Sequence, residues 1–332
     1  MNTRRFRSAS RKQIGAGVSS TVDLCESKVE GFTFVIKRYF GRESFESKKE
    51  YHERVLAEYY TIKSLKHCNI IEAYQFKILF GGGSVDMYME AGIGDFGQLF
   101  RANYFSSEDQ LLKFWHQLYD GVYFLHNSAK LCHRDLKLSN LVLAKNGTTL
   151  KIIDFLTASN IDKPATGLVG TSAYAAPETF LKISYDGGKA DVWAIGIILV
   201  YFISRKFPWK AASHDDVNFV SFQKKKASFA DTQDHILQDE TNNNDSFKDV
   251  HSSSVDDGVL HSVDADSSDT AELNGLFIGS LTRFLTLSLD PGLGVNLTAS
   301  PVVYLMLESD PDVRSSILGI QTHPWFQMLP ES

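Results

Sequence analysis

Cysteine is scarce in this chain: Cys25, Cys68 and Cys132 are the only three in 332 residues. Three scattered thiols exclude a disulfide framework and a CxxC metal site, and they point to a reduced, cytoplasmic setting. Apolar length is lacking too. No hydrophobic stretch follows the N-terminal charges Arg4, Arg5, Arg7, Arg11 and Lys12, so a secretory leader is not expected. The longest apolar run, Val192 to Ser204, falls short of the ~20 residues that span a bilayer, and Asp191 and Arg205-Lys206 bracket it. It predicts a buried core helix and no transmembrane segment. Nor is there an excess of positive charge: 34 Lys and Arg stand against 40 Asp and Glu, a net charge of -6. That balance argues against a nucleic-acid-binding chain.

What is present is ordinary globular composition, 43% hydrophobic and 22% charged, distributed unevenly and without an internal repeat. Residues Ile14 to Leu24 and Phe32 to Phe40 are β-rich, with Gly31 between them. Ser44 to Leu65 reads as a helix, because Val55, Tyr59, Ile62 and Leu65 recur at helical spacing. Two further strands, Glu72 to Leu79 and Val85 to Glu90, flank the turn at Gly81-Gly82-Gly83. From Leu111 the chain turns mainly helical, with Leu111 to His126 and Ala190 to Ser204 the clearest helices. Short strands are predicted at Leu141 to Leu143 and Leu150 to Ile153. Val302 to Leu307 and Ser315 to Ile320 close the chain as helices. Between them, Asp231 to Glu272 holds 12 Asp and Glu against one Lys and has almost no aromatics. It reads as a disordered acidic insertion and a possible docking point for a regulatory partner. The other 290 residues therefore carry a net charge of +5. The acidity belongs to one segment, and the rest of the chain is compatible with a polyphosphate ligand.

Three groups of residues carry chemistry. The first is Ile14-Gly15-Ala16-Gly17-Val18-Ser19-Ser20-Thr21-Val22, inside a predicted hairpin. Glycines at its second and fourth places let backbone N–H groups approach phosphate oxygens. A flexible turn would look the same, and Ser20 stands where GxGxxG has its last glycine. The glycines lead into a strand, which sets aside a dinucleotide-binding turn. The second is Lys37, on the next strand within Phe34-Val35-Ile36-Lys37, where it can reach a phosphate or lie on the surface. Glu58 is the best placed carboxylate to pair with it, with Glu50 and Glu53 as competitors.

The third is a series: His133-Arg134-Asp135-Leu136-Lys137-Leu138-Ser139-Asn140, then Ile152-Ile153-Asp154-Phe155, then Gly170-Thr171 through Ala176-Pro177-Glu178. In order and spacing from Gly15 to Glu178 the sequence resembles the eukaryotic protein kinase family. The resemblance continues through Asp191-Val192-Trp193 and Gly196, Asp310 to Arg314, and His323 to Phe326. Lys137 and the Gly170 to Tyr174 segment resemble the Ser/Thr branch. The Gly167 to Thr171 region and the acidic insertion look similar to fungal kinases of the halotolerance and nitrogen-permease-reactivator type, which regulate plasma-membrane transporters.

The resemblance implies an α+β bilobal protein kinase fold, with a small β-rich N-lobe carrying one main helix and a larger, mainly helical C-lobe. The expected division is a basic tail over 1–11, an N-lobe over 12–90 and a C-lobe over 91–330, interrupted by 231–272. It implies ATP and Mg²⁺ as cofactors and protein hydroxyls as acceptors. Asp135 would orient the attacking hydroxyl and accept its proton, and Lys137 would steady the γ-phosphate. Lys37 would bind the α/β-phosphates with Glu58 fixing it, while Asn140 and Asp154 would hold the metal. Ile14, Gly15, Ala16, Gly17 and Val22 would cover the nucleotide. The adenine edge would meet backbone from Glu90 to Gly92, with Met89 as gatekeeper and Asp95 near the ribose. His133 reads as a brace, Trp193, Trp325 and Phe326 as core, and Glu178 with Arg314 as a buried ion pair. Arg134 places a cation where a phosphorylated segment would dock, making Thr166 a candidate phosphosite, with Thr157 and Ser159 as alternates. As loop hydroxyls all three are also unremarkable.

One residue departs from the pattern. Leu156 stands where the Asp-Phe-Gly motif has glycine, and a side chain there can stiffen or misplace Asp154. The expectation is an active enzyme, since Lys37, Asp135, Asn140 and Asp154 are all present. The alternative is a catalytically silent nucleotide-binding scaffold. A small-molecule phosphotransferase fits less well, given Arg134 and Ala176-Pro177-Glu178.

Overall fold

A computed structural model describes residues 6–17, 19–29, 31–79, 81, 83–167, 169–224, 226, 289–290, 294–295, 301–327 and 329. The acidic insertion expected over 231–272, and any partner site on it, lie outside the described residues.

The N-lobe is a five-stranded antiparallel sheet with one helix. Strands β1 (Ser8–Ala16), β2 (Ser20–Ser27), β3 (Thr33–Tyr39), β4 (Ala73–Leu79) and β5 (Ser84–Glu90) lie in the order β1-β2-β3-β5-β4. Side chains alternate across a strand, and β3 divides its residues accordingly. Phe34 and Ile36 join Cys25 and Tyr88 in an outer cluster, while Val35 and Tyr39 join the main core. Lys37 therefore projects to the core side, between Val35 and Tyr39. The segment Ile14 to Leu24 is interrupted by a turn, closed by the Gly17 amide donating to the Ser20 carbonyl at 2.8 Å.

Of the segment expected as a basic tail over 1–11, the part from Ser8 is strand β1. Upstream of it Phe6 sets its ring 5.5–5.8 Å from those of Phe32, Phe34, Tyr74 and Tyr88, which ties this end of the chain to the sheet. Helix α1 spans Lys48–Ser64 rather than starting at Ser44, because Ser47 caps it. The Ser47 side chain accepts from the Glu50 amide, and the Glu50 carboxylate accepts from the Ser47 amide. Its buried stripe is Tyr51, Val55, Glu58 and Ile62, so one carboxylate lies in an otherwise apolar row.

The C-lobe begins with β6 (Gly92–Asp95), α2 (Phe96–Arg101) and α3 (Glu108–Tyr123), followed by a π-helical turn at Phe124–Ser128. Strands β7 (Leu131–Cys132), β8 (Leu141–Ala144) and β9 (Leu150–Ile152) frame the loop that carries Asp135 and Asn140; β6, β8 and β9 form one antiparallel sheet. Next come β10 (Ser159–Asn160), β11 (Ala165–Thr166), α4 (Pro177–Leu181), β12 (Ser184–Tyr185) and α5 (Gly187–Ser204). The last helices are α6 (Pro301–Met306), α7 (Ile317–Gln321) and α8 (Pro324–Gln327).

Helix α5 is apolar nearly all round, as a helix buried on every side must be. Among the described residues it is the one helix long and apolar enough to cross a bilayer, and most of it is buried inside the protein. Trp115 of α3 donates its indole N–H to the Ile195 carbonyl at 3.0 Å. Trp193, Trp325 and Phe326 are core residues, as expected.

Candidate active site

Two hydrogen-bonded groups form the site. In the first, Lys37 Nζ lies 2.8 and 2.9 Å from the two Glu58 carboxylate oxygens and 2.8 Å from Asp154 Oδ1. Lys37 and Glu58 are 6% and 2% exposed, so neither charge is tolerable without the other. Burial alone would lower the Lys37 pKa, but Glu58 and Asp154 outweigh it and the net direction is up. Burial likewise pushes the Asp154 carboxyl up, and Lys37 more than reverses it, so the carboxylate is held below its ordinary range. The competitors for Lys37 are engaged elsewhere: Glu50 in the helix cap and Glu53 with Lys49.

In the second group, Asp135 Oδ2 accepts from Lys137 Nζ at 2.7 Å and from Asn140 Nδ2 at 3.1 Å; Asn140 Nδ2 also donates to the Asp135 carbonyl at 2.8 Å. Asp135 Oδ1 is buried and has no partner. Gly170, at φ 92°, lies beside it: a Cβ there would lie 3.3 Å from that oxygen and 3.1 Å from the Arg134 carbonyl. Glycine is required by both the left-handed backbone and the close approach.

The loop holding Asp135 is fixed from below by Asp191, just past the first turn of α5. Its carboxylate accepts from the His133 amide at 2.7 Å and the Arg134 amide at 2.8 Å, and pairs with His126 Nε2 at 2.9 Å. Neither Asp191 nor His126 emerges from the sequence as part of this support. The available signal was one aspartate, 1% exposed, near the start of the apolar helix α5. His133 braces the neighbouring loop, its Nε2 lying 3.0 Å from the Ile153 carbonyl.

Leu156 does not strain the Asp154 loop. The left-handed residue there is Asp154 itself, at φ 66°, and Leu156 has no positive φ. Aspartate visits that region more readily than most residues, so the freedom expected of glycine at 156 is not used in this conformation. Asp154 stays in contact with Lys37 at 2.8 Å, so in this conformation the leucine does not draw it away from the lysine. Phe155 is buried beside the His133 ring.

Around the cleft, Gly15 and Gly17 have neither positive φ nor a crowded Cβ position, the nearest atoms being 3.6 and 3.8 Å away. Packing does not demand glycine at either. Gly15 pairs with Val22 and Ala16 with Thr21, leaving Ile14 about half exposed. Met89 is buried on β5 opposite Val35. Glu90 donates its amide to the Glu72 carbonyl at 2.9 Å and pairs its carboxylate with Lys151 at 3.0 Å. Asp95 caps α2 by accepting from the Gln98 amide at 2.8 Å; burial pushes its pKa up against that hydrogen bond.

Gly92 has a reason the sequence did not show. A Cβ there would fall 2.2 Å from Val142 Cγ1 and 2.5 Å from the Leu143 carbonyl oxygen, so β6 lies directly against β8. Gly92→Ala must push the two strands apart at the connection between the lobes, at a cost of about 1–3 kcal/mol. Thermal denaturation should show a melting temperature lowered by roughly 2–12 °C.

The candidate phosphosites separate. Thr157 donates its hydroxyl to the His133 carbonyl at 3.0 Å, and Ser159 Oγ lies 3.2 Å from Cys132 Sγ. Thr166 is exposed on β11, and its carbonyl accepts from the Arg134 guanidinium at 2.5 Å. Glu178 and Arg314 pair as expected, through two hydrogen bonds of 2.6 and 2.8 Å.

A β-sheet lobe with a Lys–Glu pair, placed over a helical lobe that presents an aspartate loop, defines a protein kinase domain. The chain belongs to that family: residues 8–326 match the family model described as "Protein kinase domain". It is similar to the serine/threonine-protein kinase PRR2 of Saccharomyces cerevisiae, 34% identical over 241 residues covering 70% of this chain and 34% of that protein. It is also similar to the serine/threonine-protein kinase oca2 of Schizosaccharomyces pombe, 33% identical over 236 residues, 69% of this chain and 36% of that one. The nitrogen permease reactivator protein of Saccharomyces cerevisiae is 33% identical over 216 residues, 63% of this chain and 27% of that protein. The matched regions cover about a third or less of those relatives' own lengths.

Proposed function

We propose that this chain transfers the γ-phosphoryl group of ATP to serine or threonine hydroxyls of protein substrates. The observation that carries this reading is Asp135. One carboxylate oxygen is held by Lys137 and Asn140 and the other is buried without a partner. An ionised carboxylate offers only acceptors, so the second oxygen suits the O–H of an incoming hydroxyl, which it orients and deprotonates.

The remaining roles follow from charge. Lys37, fixed by Glu58, meets the α/β-phosphates, and Lys137 stands beside Asp135 for the γ-phosphate. With Asn140 Nδ2 committed to Asp135, its amide oxygen is the atom left for a hard cation, and Asp154 supplies a second oxygen. Two oxygen donors fit Mg²⁺, which otherwise takes water and phosphate. When bound, Mg²⁺ neutralises charge on the phosphate oxygens. The bare backbone at Gly15 and Gly17 and the half-exposed Ile14 suit a cover over the nucleotide, with Ala16 and Val22 completing the hairpin, Met89 to Gly92 at the adenine and Asp95 near the ribose. The silent-scaffold alternative finds no missing group: Lys37, Asp135, Asn140 and Asp154 are all present and hydrogen-bonded.

Serine and threonine are favoured as acceptors by Lys137 and by the names of the relatives. Likeness to the nitrogen permease reactivator protein supports control of membrane transport proteins as the setting, and the reduced thiols support a cytoplasmic one. Thr166 is the proposed phosphosite, because the residue is exposed and Arg134 reaches its backbone.

The test is incubation of the full chain with [γ-32P]ATP, Mg²⁺ and a basic generic protein, followed by acid hydrolysis. Phosphoserine and phosphothreonine are expected. Phosphotyrosine alone, or no label above the Asp135→Asn background, would overturn the proposal.

A further inference from the structure

We propose that Tyr39 is a positioning residue of the nucleotide site: it holds Glu58, and through Glu58 it holds Lys37 ready for phosphate. The inference rests on the reading of Lys37 as the phosphate-binding lysine.

Tyr39 lies two residues beyond Lys37 on β3, so the strand alternation puts both on one face. Tyr39 is 1% exposed. Its hydroxyl donates to Glu58 Oε2 at 2.5 Å, and its one other hydrogen-bonding neighbour is Met87 Sδ, a weak acceptor at 4.0 Å. The Lys37 ammonium also lies 5.3 Å from the centre of the Tyr39 ring, within cation–π range. Burial, followed by the adjacent Glu58 charge, drives the phenol pKa upward, so the hydroxyl remains a donor.

The count of donors shows why this bond matters. An ammonium has three N–H groups, and those of Lys37 are directed at Glu58 Oε1, Glu58 Oε2 and Asp154 Oδ1. A phosphate oxygen must take at least one of them. When Glu58 gives one up, its buried carboxylate would be left short of a partner, and under-satisfied buried acceptors are costly. Tyr39 supplies a donor that does not leave. It comes from a rigid aromatic side chain rooted in the sheet, whereas the lysine stem is flexible. Glu58 thus keeps its orientation while Lys37 shares its protons with the nucleotide.

Tyr39→Phe removes the hydroxyl and keeps the ring. Calorimetric titration with ATP and Mg²⁺ should show the Kd raised about five- to tenfold, within what a hydrogen bond to a charged group supports. The KM for ATP should rise in parallel, with kcat within about threefold. In a Glu58→Gln background the same substitution should change Kd less than about twofold, because the partner through which it acts is altered. An unchanged Kd in Tyr39→Phe, or equal losses in both backgrounds, would overturn the assignment, even if the melting temperature falls. Should Tyr39→Phe not fold, 3-fluorotyrosine at position 39 carries the test with the opposite sign. Its more acidic hydroxyl should lower Kd, and an unchanged or higher Kd rejects the role. Activity of the wild type over Asp135→Asn is read in parallel. An inactive wild type whose ATP affinity still depends on Tyr39 defeats the kinase reading alone, and a wild type that binds no ATP defeats both.

Discussion

Asp135→Asn should lower phosphoryl transfer at saturating ATP by about 10²- to 10⁴-fold, the usual contribution of a positioned base, while ATP affinity changes less than about twofold. The amide is nearly isosteric, so the hydrogen bonds from Lys137 and Asn140 to one oxygen can persist. What is lost is the negative charge and the proton-accepting power of the partnerless second oxygen. Transfer kinetics and calorimetry on the same preparations separate the two effects. A matching fall in affinity would mean that Asp135 supports the nucleotide rather than the acceptor hydroxyl.

The largest loss of stability should come from Glu178→Ala. Arg314 is 1% exposed, and Glu178 meets its guanidinium with two parallel hydrogen bonds. Arg314 also donates to the Glu308 carbonyl at 2.7 Å and the Lys189 carbonyl at 3.0 Å, and lies 4.9 Å from the Trp193 ring. One cation thereby joins α4, the first turn of α5 and the segment after α6. Removing the carboxylate leaves a buried charge without its counter-ion, which costs about 3–5 kcal/mol. For a domain of this size that lowers the melting temperature by roughly 6–20 °C. Glu178→Leu combined with Arg314→Met should cost less than Glu178→Ala alone, because no buried charge then remains unpaired. A single substitution that leaves the melting temperature unchanged would show that solvent reaches Arg314 after all.

Much of this site is legible in the sequence, for a physical reason. Phosphoryl transfer needs a few charged groups at fixed places, and Lys37, Asp135, Asn140 and Asp154 are identified by what flanks them. Glu58 was read as the best placed carboxylate among Glu50, Glu53 and Glu58, and the structure adds the reason: it lies in the buried Tyr51, Val55, Ile62 row of α1. Of the contacts between residues distant in sequence, the Lys37–Glu58 and Glu178–Arg314 pairs were legible through the motifs that carry them, and others were not. Gly92 reads as a nucleotide-contacting glycine, yet its lack of a side chain is enforced by Val142 and Leu143. Asp191 reads only as a family marker, yet its two oxygens hold the loop of Asp135 from 56 or more residues away. Tyr39 has no motif around it, and its role depends on which face of β3 meets α1. The first strand was placed late because Arg7 and Arg11 read as part of a basic tail, whereas an exposed edge strand accepts such charges readily.

Leu156 is where sequence and structure part most sharply. A glycine in that place suggests a backbone that must go left-handed, and leucine should then carry a penalty of roughly 1–2 kcal/mol. The structure assigns the left-handed conformation to Asp154, so in this arrangement the leucine carries no such penalty. The most direct measurement of whether the site is assembled and active is the single-turnover rate of phosphoryl transfer for wild type, Leu156→Gly and Asp135→Asn at saturating ATP and Mg²⁺. Wild type and Leu156→Gly should agree within about threefold and both exceed Asp135→Asn by about 10² or more. A wild type as slow as Asp135→Asn, with activity recovered only in Leu156→Gly, would contradict it.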